Sequence, residues 1–250
     1  MKISLGLDDS VKVGKIGAPS GGLPTKTIGQ VTTGLTWWGK NDPNYLYTDA
    51  GTTKVSSIGD AVYRLAPLYG ALNFDQADAG LRPTYQAAGV YFDDTDTLAS
   101  SGINSFFAVG GKTLIMAVQV NTGWLTSDFL LAADGGYGDT RVATGNLVQM
   151  VNYDGSTDTT PGVAFVNDTP FVYAAWHDGV NISIAVNNGT ASSVASGNTT
   201  GVFNQTMRLA ARGTNYTPMY FKEGATWNVA LAQADREQIV RGLMQSYGIS

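Results

Sequence analysis

Three carboxylates, Asp93, Asp94 and Asp96, directly follow a short apolar run at Gly89–Phe92. Residues two apart on an extended chain face the same side, so Asp94 and Asp96 could act together. Three kinds of site fit this pattern: a calcium site built from carboxylate oxygens, a pair of catalytic acids, or a solvated polar edge at the end of a strand. The stretch by itself leaves all three open.

Three further stretches combine aromatic rings with hydrogen-bonding side chains. Protein sites for sugars place an aromatic ring against the apolar face of the sugar and polar groups against its hydroxyls. We therefore expect carbohydrate-binding residues in the segments 124–128, 134–141 and 152–155. The candidates are Trp124, Asp128, Tyr137, Asp139, Arg141, Tyr153 and Asp154.

The inventory of catalytic side chains argues against an enzyme. The chain has two glutamates, Glu223 and Glu237, and they do not form the close pair on one strand that a glycosidase would use. The single histidine, His177, is accompanied by neither a Gly-x-Ser-x-Gly motif nor a phosphate-binding loop. An acid pair formed by Asp94 and Asp96 is the remaining route to hydrolysis.

The composition excludes several other classes. The absence of cysteine removes disulfides, thiolate nucleophiles and zinc–thiolate sites. A net charge of −5 disfavours nucleic-acid binding, and no stretch approaches the roughly 20 apolar residues of a membrane-spanning helix. The opening residues lack the apolar centre of a secretory signal, which predicts synthesis and assembly in a bacterial-type cytoplasm.

From residue 37 onward, short strand patterns bounded by turn residues dominate the chain. Strands are predicted at 112–120, 128–134, 146–153, 170–178, 181–189 and 207–213. Strands and helices do not alternate, which favours an antiparallel all-β fold over an α/β fold. One amphipathic helix is predicted at 232–248, packing across the sheets and ending at Gly248, with an apolar face formed by Ile239, Val240, Leu243, Met244 and Tyr247.

Residues 1–36 differ in composition from the rest of the chain. They carry four lysines and two aspartates, in short β-branched pieces interrupted by glycine and proline. Such pieces bury too little apolar surface to fold alone. They are interpreted either as a flexible leader or as an extended arm that becomes ordered by adding strands to a partner or a sister subunit. We therefore divide the chain into an arm, 1–36, and one domain, 37–250.

A series of motifs then occurs in a characteristic order. Trp38 and Asp49 are followed by GDAV (59–62), RPTY (82–85) and FDDTDTL (92–98), then by the hairpin pattern FVYAAWHDGVNISIAVNNG and a closing strand and helix. Over residues 36–249 this order resembles the concanavalin A-like, or laminin-G-like, jelly-roll domains of phage and prophage structural proteins. Two departures are Asp94, where glycine is usual, and Ala232, where a serine usually caps the helix.

The resemblance implies an all-β, two-sheet antiparallel jelly-roll sandwich with one C-terminal helix. It implies a non-enzymatic virion protein of a tailed phage or phage-like particle, assembled in the host cytoplasm as a head fibre, decoration protein or tail-associated adhesin. The implied partners are a capsid or tail protein, reached through the arm, host surface polysaccharide, and further copies of the chain, but neither nucleic acid nor membrane. Calcium is the one candidate cofactor, with Asp93, Asp94 and Asp96 as ligands. The alternatives are a decoration protein that binds no glycan and a glycan depolymerase.

Overall fold

The computed structural model describes residues 23–100, 111–124, 128–133, 139–153, 157–196 and 206–250, and of Asn152, Tyr153 and Thr157 only the backbone. These residues form twenty strands, two short 3-10 helices (Ile28–Gln30 and Ala79–Leu81) and one α-helix, α1 (Gln233–Ser246). In chain order the strands are β1 (Leu35–Lys40), β2 (Leu46–Tyr47), β3 (Arg64–Leu65), β4 (Phe74–Asp75), β5 (Thr84–Gln86), β6 (Gly89–Phe92), β7 (Leu98–Ser100), β8 (Lys112–Val120), β9 (Phe129–Ala133), β10 (Asp139–Ala143), β11 (Leu147–Tyr153), β12 (Thr157–Thr159), β13 (Val163–Ala164), β14 (Phe171–His177), β15 (Asn181–Val186), β16 (Ser192–Ala195), β17 (Met207–Leu209), β18 (Ala211–Arg212), β19 (Asn215–Tyr216) and β20 (Met219–Trp227).

Two antiparallel sheets form the body of the molecule. In the described residues the smaller sheet has the order β16-β15-β14-β8-β20-β6-β5, with β1 pairing β20 beside β6. The larger sheet has the order β12-β11-β10-β9-β17-β7-β4-β3-β2, with β13 beside β11, while β18 and β19 form a separate ribbon. The two sheets pack face to face, so the predicted two-sheet antiparallel jelly-roll sandwich is confirmed.

The central strands of the smaller sheet are apolar on both faces. Leu114, Met116 and Val118 on β8 point into the core between the sheets, whereas Ile115 and Ala117 point to the opposite side. Burial on both faces explains why β8 has a nearly continuous apolar sequence instead of an alternating one. The second face of this sheet therefore needs a cover.

The C-terminal helix provides that cover. The buried side chains of α1, Ile239, Val240 and Leu243, pack with Ile115 and Trp227 of the smaller sheet. The helix begins after Ala232, whose side chain makes no capping hydrogen bond, and the chain leaves it through Gly248 at φ 64°. The predicted helix and its packing role are thus confirmed. Across the described residues no helix is long and apolar enough to cross a membrane.

The described part of the predicted arm, residues 23–36, lies against the helix and the smaller sheet. Ile28 is buried among the helix-side apolar residues, and the Lys26 ammonium lies 2.5 Å from the Asp235 carboxylate. The indole N–H of Trp227 donates to the carbonyl of Val31 at 2.7 Å. The boundary at residue 36 falls inside β1, and residues 1–22 lie outside the described residues.

A buried carboxylate joins β1, β20 and the end of α1. Glu223 on β20 is 5% exposed and accepts hydrogen bonds from the Trp38 indole and the Tyr247 hydroxyl, each at 2.8 Å. The Lys40 ammonium approaches the same carboxylate at 3.7 Å. Burial and the Glu223 charge both raise the pKa of Tyr247, which keeps its hydroxyl protonated as a donor.

We expect Glu223→Ala to lower the free energy of unfolding by about 2–4 kcal/mol, because the Trp38 and Tyr247 donors would lose their buried acceptor. Asp94→Ala, which removes an exposed carboxylate, is the matched control and should change stability by less than about 0.5 kcal/mol. Urea denaturation followed by tryptophan fluorescence measures both. Equal losses in the two variants would contradict a special role for the buried carboxylate.

Candidate functional site

The three carboxylates after β6 form a turn held by its own side chains. The Asp93 carboxylate accepts from the Thr95 amide and hydroxyl, both at 2.7 Å, and the Asp96 carboxylate accepts from the Asp93 amide at 3.0 Å. Asp96 is buried while Asp94 is exposed. The expected placement of Asp94 and Asp96 on one face is therefore wrong, because the strand ends at Phe92 and the chain turns.

The same carboxylates would have to supply the ligands if this turn held a calcium ion. In the described part of the chain no group of three or more His, Cys, Asp or Glu side chains is arranged to hold a metal ion. Of the three candidates, Asp93 and Asp96 already accept hydrogen bonds within the turn. The calcium hypothesis stays a prediction.

Asp96 provides a test through its titration. Burial, followed by the charges of Asp93 and Asp94, raises the pKa of Asp96 to about 6. The folded state then holds its proton at a pH where the unfolded chain has lost it, so this group's contribution to stability falls as pH rises from about 4 to about 6.

We expect Asp96→Asn to raise the free energy of unfolding at pH 7 by about 1–3 kcal/mol and to flatten this pH dependence, because the amide oxygen can still accept from Asp93 without a buried charge. Exposed Asp94→Asn is the control. Melting curves at pH 4 to 8 check the slope. If calcium raises the melting temperature of the native chain but not of Asp96→Asn, Asp96 is a calcium ligand.

The predicted carbohydrate residues do not gather at one place. Strands β9, β10 and β11 are neighbours, and Asp139 pairs with Val151, which puts the start of β10 and the end of β11 at the same end of the sheet. Tyr153 ends β11 there, although its side chain, like Tyr137 and Asp154, lies outside the described residues. Trp124 lies at the other end of the sheet. Its side chain is hydrogen-bonded to Asn167, and Asn167 is hydrogen-bonded to Asn146 in the β10–β11 turn.

The Trp124 side chain makes structural contacts with Asn167 and Phe165 at that end of the sheet. Its indole N–H donates to the Asn167 side-chain oxygen at 3.0 Å, and its ring centroid is 6.4 Å from that of Phe165. The Asn167 amide donates to the Asn146 side chain at 3.4 Å. The ring is half-buried at the margin of the main core, so part of it faces solvent.

Asp139 and Arg141 project from the outer face of the larger sheet, between those two ends. Thr140 contacts Tyr173 in the core, which turns its two neighbours on β10 outward. Asp139 is fully buried and accepts from the Ala133 amide at 2.8 Å and from the Arg212 guanidinium at 2.9 Å. Asp128, which precedes β9, is buried as well.

An open cleft of about 530 Å³ adjoins this group of side chains. We call it the arginine cleft, and its lining residues are Phe129, Arg208, Arg212, Gly213, Thr214 and Asn215. The Arg212 guanidinium lies 5.1 Å above the Phe129 ring. An irregularity in the β9–β10 pairing makes Phe129 the cross-strand partner of Arg141, so Arg141 stands beside the cleft.

Arg141 is influenced by the charges around the cleft. Burial lowers its pKa, the Asp139 carboxylate raises it, and the neighbouring Arg212 lowers it. The candidate residues Asp139 and Arg141 are thus brought together with Arg212, and Arg208 lines the same cleft as Arg212. The sequence analysis missed both Arg208 and Arg212. The signal was present in MRLAARG, where Arg208 alternates with the core residues Met207 and Leu209.

A second cavity, of about 440 Å³, lies between α1 and the outer strands of the smaller sheet. Its walls include Trp176, Asn188, Gln233 and Glu237. The Arg236 guanidinium lies 4.0 Å from the Trp176 ring centroid and covers that face of the ring. Because the Asn188 side-chain amide also donates to the backbone carbonyl of Glu237 at 3.0 Å, these groups mainly fix the helix on the sheet.

Lys112 and His177 form an unusual buried pair at one end of the smaller sheet. They are cross-strand partners on β8 and β14, and neither the Lys112 ammonium nor the His177 Nε2 has a hydrogen-bond partner. Burial lowers the pKa of Lys112 to about 8, and burial, outweighing the nearby Asp178 charge, also lowers the pKa of His177. Both side chains are therefore held in surroundings that disfavour their charged forms.

We expect the stability of the native chain to rise with pH between about 8 and 10.5, because there the unfolded chain binds a proton at Lys112 that the folded chain does not. Lys112→Met should remove this slope and raise the free energy of unfolding below pH 8 by as much as about 3 kcal/mol. Exposed Lys54→Met is the control. Chemical denaturation at pH 7 to 10.5 measures the difference, and a slope that persists in Lys112→Met would contradict the assignment.

Comparisons with known proteins identify the architecture. No protein-family model matches the sequence, and no curated protein is similar to it. A complex of Trypanosoma rangeli sialidase with a difluorinated KDN sugar superposes with a TM-score of 0.58 at 13% identity, over 85% of this chain and 33% of that one. The binding domain of botulinum neurotoxin DC in complex with SialylT gives 0.55 at 11% identity, over 84% and 52%.

The binding domain of botulinum neurotoxin serotype C1 gives a similar result, with a TM-score of 0.54 at 12% identity over 84% of this chain. The chain spans about a third to a half of the length of these structures. At such identities the likeness establishes the β-sandwich fold.

Proposed function

We propose that this chain is a non-enzymatic carbohydrate-binding protein that contacts host surface polysaccharide from the virion of a tailed phage or phage-like particle. The observation that carries the binding proposal is the arginine cleft. It is open, it lies on a sheet face that the helix does not cover, and Thr214 and Asn215 supply side chains suited to sugar hydroxyls. The solved structures with sugar ligands add support at the level of fold.

The positions of the two glutamates support a binder over a hydrolase. Glu223 is buried between Trp38 and Tyr247, and Glu237 lies on α1, where its carboxylate contacts Gln233 and Arg241. Most glycosidases, sialidases excepted, use two carboxylates that face one cleft. Near the arginine cleft, Asp139 is fully buried and accepts hydrogen bonds from the Ala133 amide and the Arg212 guanidinium.

The virion setting is proposed from the sequence resemblance and from the arm. Residues 1–22 would attach the body to a capsid or tail protein, or to sister subunits, as a head fibre, decoration protein or tail-associated adhesin. Residues 23–36 are already packed against the body, so attachment would depend on the preceding residues. Several copies on one particle would bind the host surface at the same time, and this multivalency would give stable adsorption even if each copy bound weakly.

The test is binding of the purified full chain to a panel of bacterial strains, each paired with a mutant that lacks its surface polysaccharide, with and without calcium. We expect saturable binding to at least one strain that disappears in its polysaccharide-deficient mutant. Ala substitutions at Trp124, Tyr137 and Tyr153 show whether the loop residues predicted from sequence take part. Binding to no strain would favour a decoration protein without glycan binding, and release of reducing ends would favour a depolymerase.

A further inference from the structure

We infer that the cavity between α1 and the outer strands of the smaller sheet binds a neutral sugar unit that carries an N-acetyl group. We call it the helix cavity, and its aromatic and polar lining residues are Trp176, Asn188, Thr190, Gln233, Arg236 and Glu237. The inference rests on the proposed carbohydrate binding. It adds a second binding site, separate from the arginine cleft, and the class of sugar that this site takes.

The cavity exists because small side chains lie beside the helix, beyond the central strands that α1 covers. Ala174 on β14 and Ala185 on β15 are cross-strand partners, and Ala174 belongs to the apolar cluster beneath α1. Ala185 points to the same side, because its neighbours Ile184 and Val186 point into the core. The two alanines leave a volume of about 440 Å³, which is in the usual range for sites that hold organic ligands.

The turn between β15 and β16 forms a fixed wall of this cavity. Asn187 and Asn188 have positive φ angles of 48° and 59°, as a tight turn between antiparallel strands requires. The Asn187 side chain accepts from the Val172 amide at 2.8 Å, and the Asn188 side chain donates to the Glu237 backbone carbonyl at 3.0 Å. The wall is thus attached to both the sheet and the helix before a ligand arrives, which lowers the ordering cost of binding.

The side-chain amides of the cavity present their oxygens to a ligand. The Asn188 amide nitrogen donates to the Glu237 backbone carbonyl, and the Gln233 amide nitrogen donates to the Glu237 carboxylate at 2.7 Å. These hydrogen bonds orient both side chains and leave their amide oxygens, together with the Thr190 hydroxyl, for a ligand. The matching ligand is rich in hydrogen-bond donors, as a sugar is through its hydroxyls.

The charged side chains of the cavity favour a neutral ligand. The Arg236 guanidinium lies over the Trp176 ring and donates to the Leu231 carbonyl. The Glu237 carboxylate has the Arg241 guanidinium 3.6 Å away. A ligand anion would lie beside Glu237 and a ligand cation beside Arg236, so either one would be repelled by a wall of the cavity.

The apolar walls of the cavity favour an N-acetyl group. Sugars commonly stack on a tryptophan, but Arg236 already covers one face of Trp176 at 4.0 Å from the ring centroid. The remaining apolar surface is formed mainly by the small side chains of Ala174, Ala185 and Val240, which suit a methyl group better than a flat ring. An acetamido group combines such a methyl with an N–H donor for the amide oxygens.

The experiment titrates the purified full chain with single sugars by saturation-transfer difference NMR. The probes are the methyl glycosides of N-acetylglucosamine, N-acetylgalactosamine and N-acetylmannosamine. Each is paired with its parent hexose, which has a hydroxyl in place of the acetamido group, and with the free amino sugar in mildly acidic buffer, where it carries an ammonium. We expect at least one N-acetylated sugar to bind at least about tenfold more tightly than both counterparts, with the strongest saturation at its acetyl methyl.

Two variants and a matched control locate the site. Ala185→Leu fills the space beside the helix and should weaken binding by at least about tenfold. Thr190→Val removes a hydroxyl from the exposed turn and should weaken binding by about threefold to tenfold. Ala195→Leu adds the same side chain at an exposed position of β16 outside the cavity and should bind like the native chain. Circular dichroism verifies folding, and Thr190→Val decides if Ala185→Leu does not fold.

The outcomes separate this inference from the proposed function. Equal binding of the parent hexoses, tighter binding of the amino sugars, or undiminished binding in the folded cavity variants would overturn the N-acetyl inference. Binding of none of the sugars would overturn it as well. Polysaccharide-dependent binding to bacterial strains is measured separately. If it persists in those cases, carbohydrate binding stays in place, and if it is also absent, both proposals are overturned.

Discussion

The structure depends on the burial of both faces of the smaller sheet. Its central strands β8, β14 and β20 place apolar side chains alternately in the core between the sheets and in the cluster beneath α1. Such a face is unstable in water, because burying each of its large apolar side chains stabilises the folded state by about 1.5–3 kcal/mol. The sandwich alone would therefore be incomplete without the helix and residues 23–36.

This requirement divides the outer surfaces of the molecule between two roles. The outer face of the smaller sheet is committed to α1, to the 3-10 helix around Ile28, and to the Glu223 hydrogen bonds that hold β1 and the C-terminal residues. The outer face of the larger sheet carries no helix in the described residues. A ligand site is consequently more easily placed on the larger sheet, where Arg141 and Arg208 project without disturbing the core.

Much of the fold could be predicted from sequence because the decisive signals were local. The apolar run of β8, the hairpin at Asp178 and Gly179, and the helical spacing of Ile239 and Leu243 each specify an element without reference to distant residues. The candidate site was less accessible. Arg208 and Arg212 are far from Arg141 in sequence, and they meet only because β17 and β9 pair in the sheet.

The acidic motifs show why sequence reading of a site is difficult in such a chain. In the sequence, Asp93 and Asp96 resemble a ligand cluster, but in the structure their carboxylates close the turn that follows β6. The strand ends there, and the backbone amides of Asp93 and Thr95 need hydrogen-bond acceptors. The spacing of two residues has its predicted meaning only while the chain remains extended. A cluster of like residues at a strand end therefore says more about the turn than about a ligand.

Three of the buried carboxylates among the described residues, Glu223, Asp96 and Asp139, are stabilised in different ways. Glu223 accepts from the neutral donors of Trp38 and Tyr247 and has the Lys40 ammonium 3.7 Å away. Asp96 accepts from a backbone amide and has a raised pKa. Asp139 is paired with a cation, Arg212, that is itself partly exposed. A buried carboxylate that holds an exposed guanidinium fixes that cation at the surface at the expense of desolvation. The arrangement holds Arg212 at the wall of the arginine cleft, above the Phe129 ring.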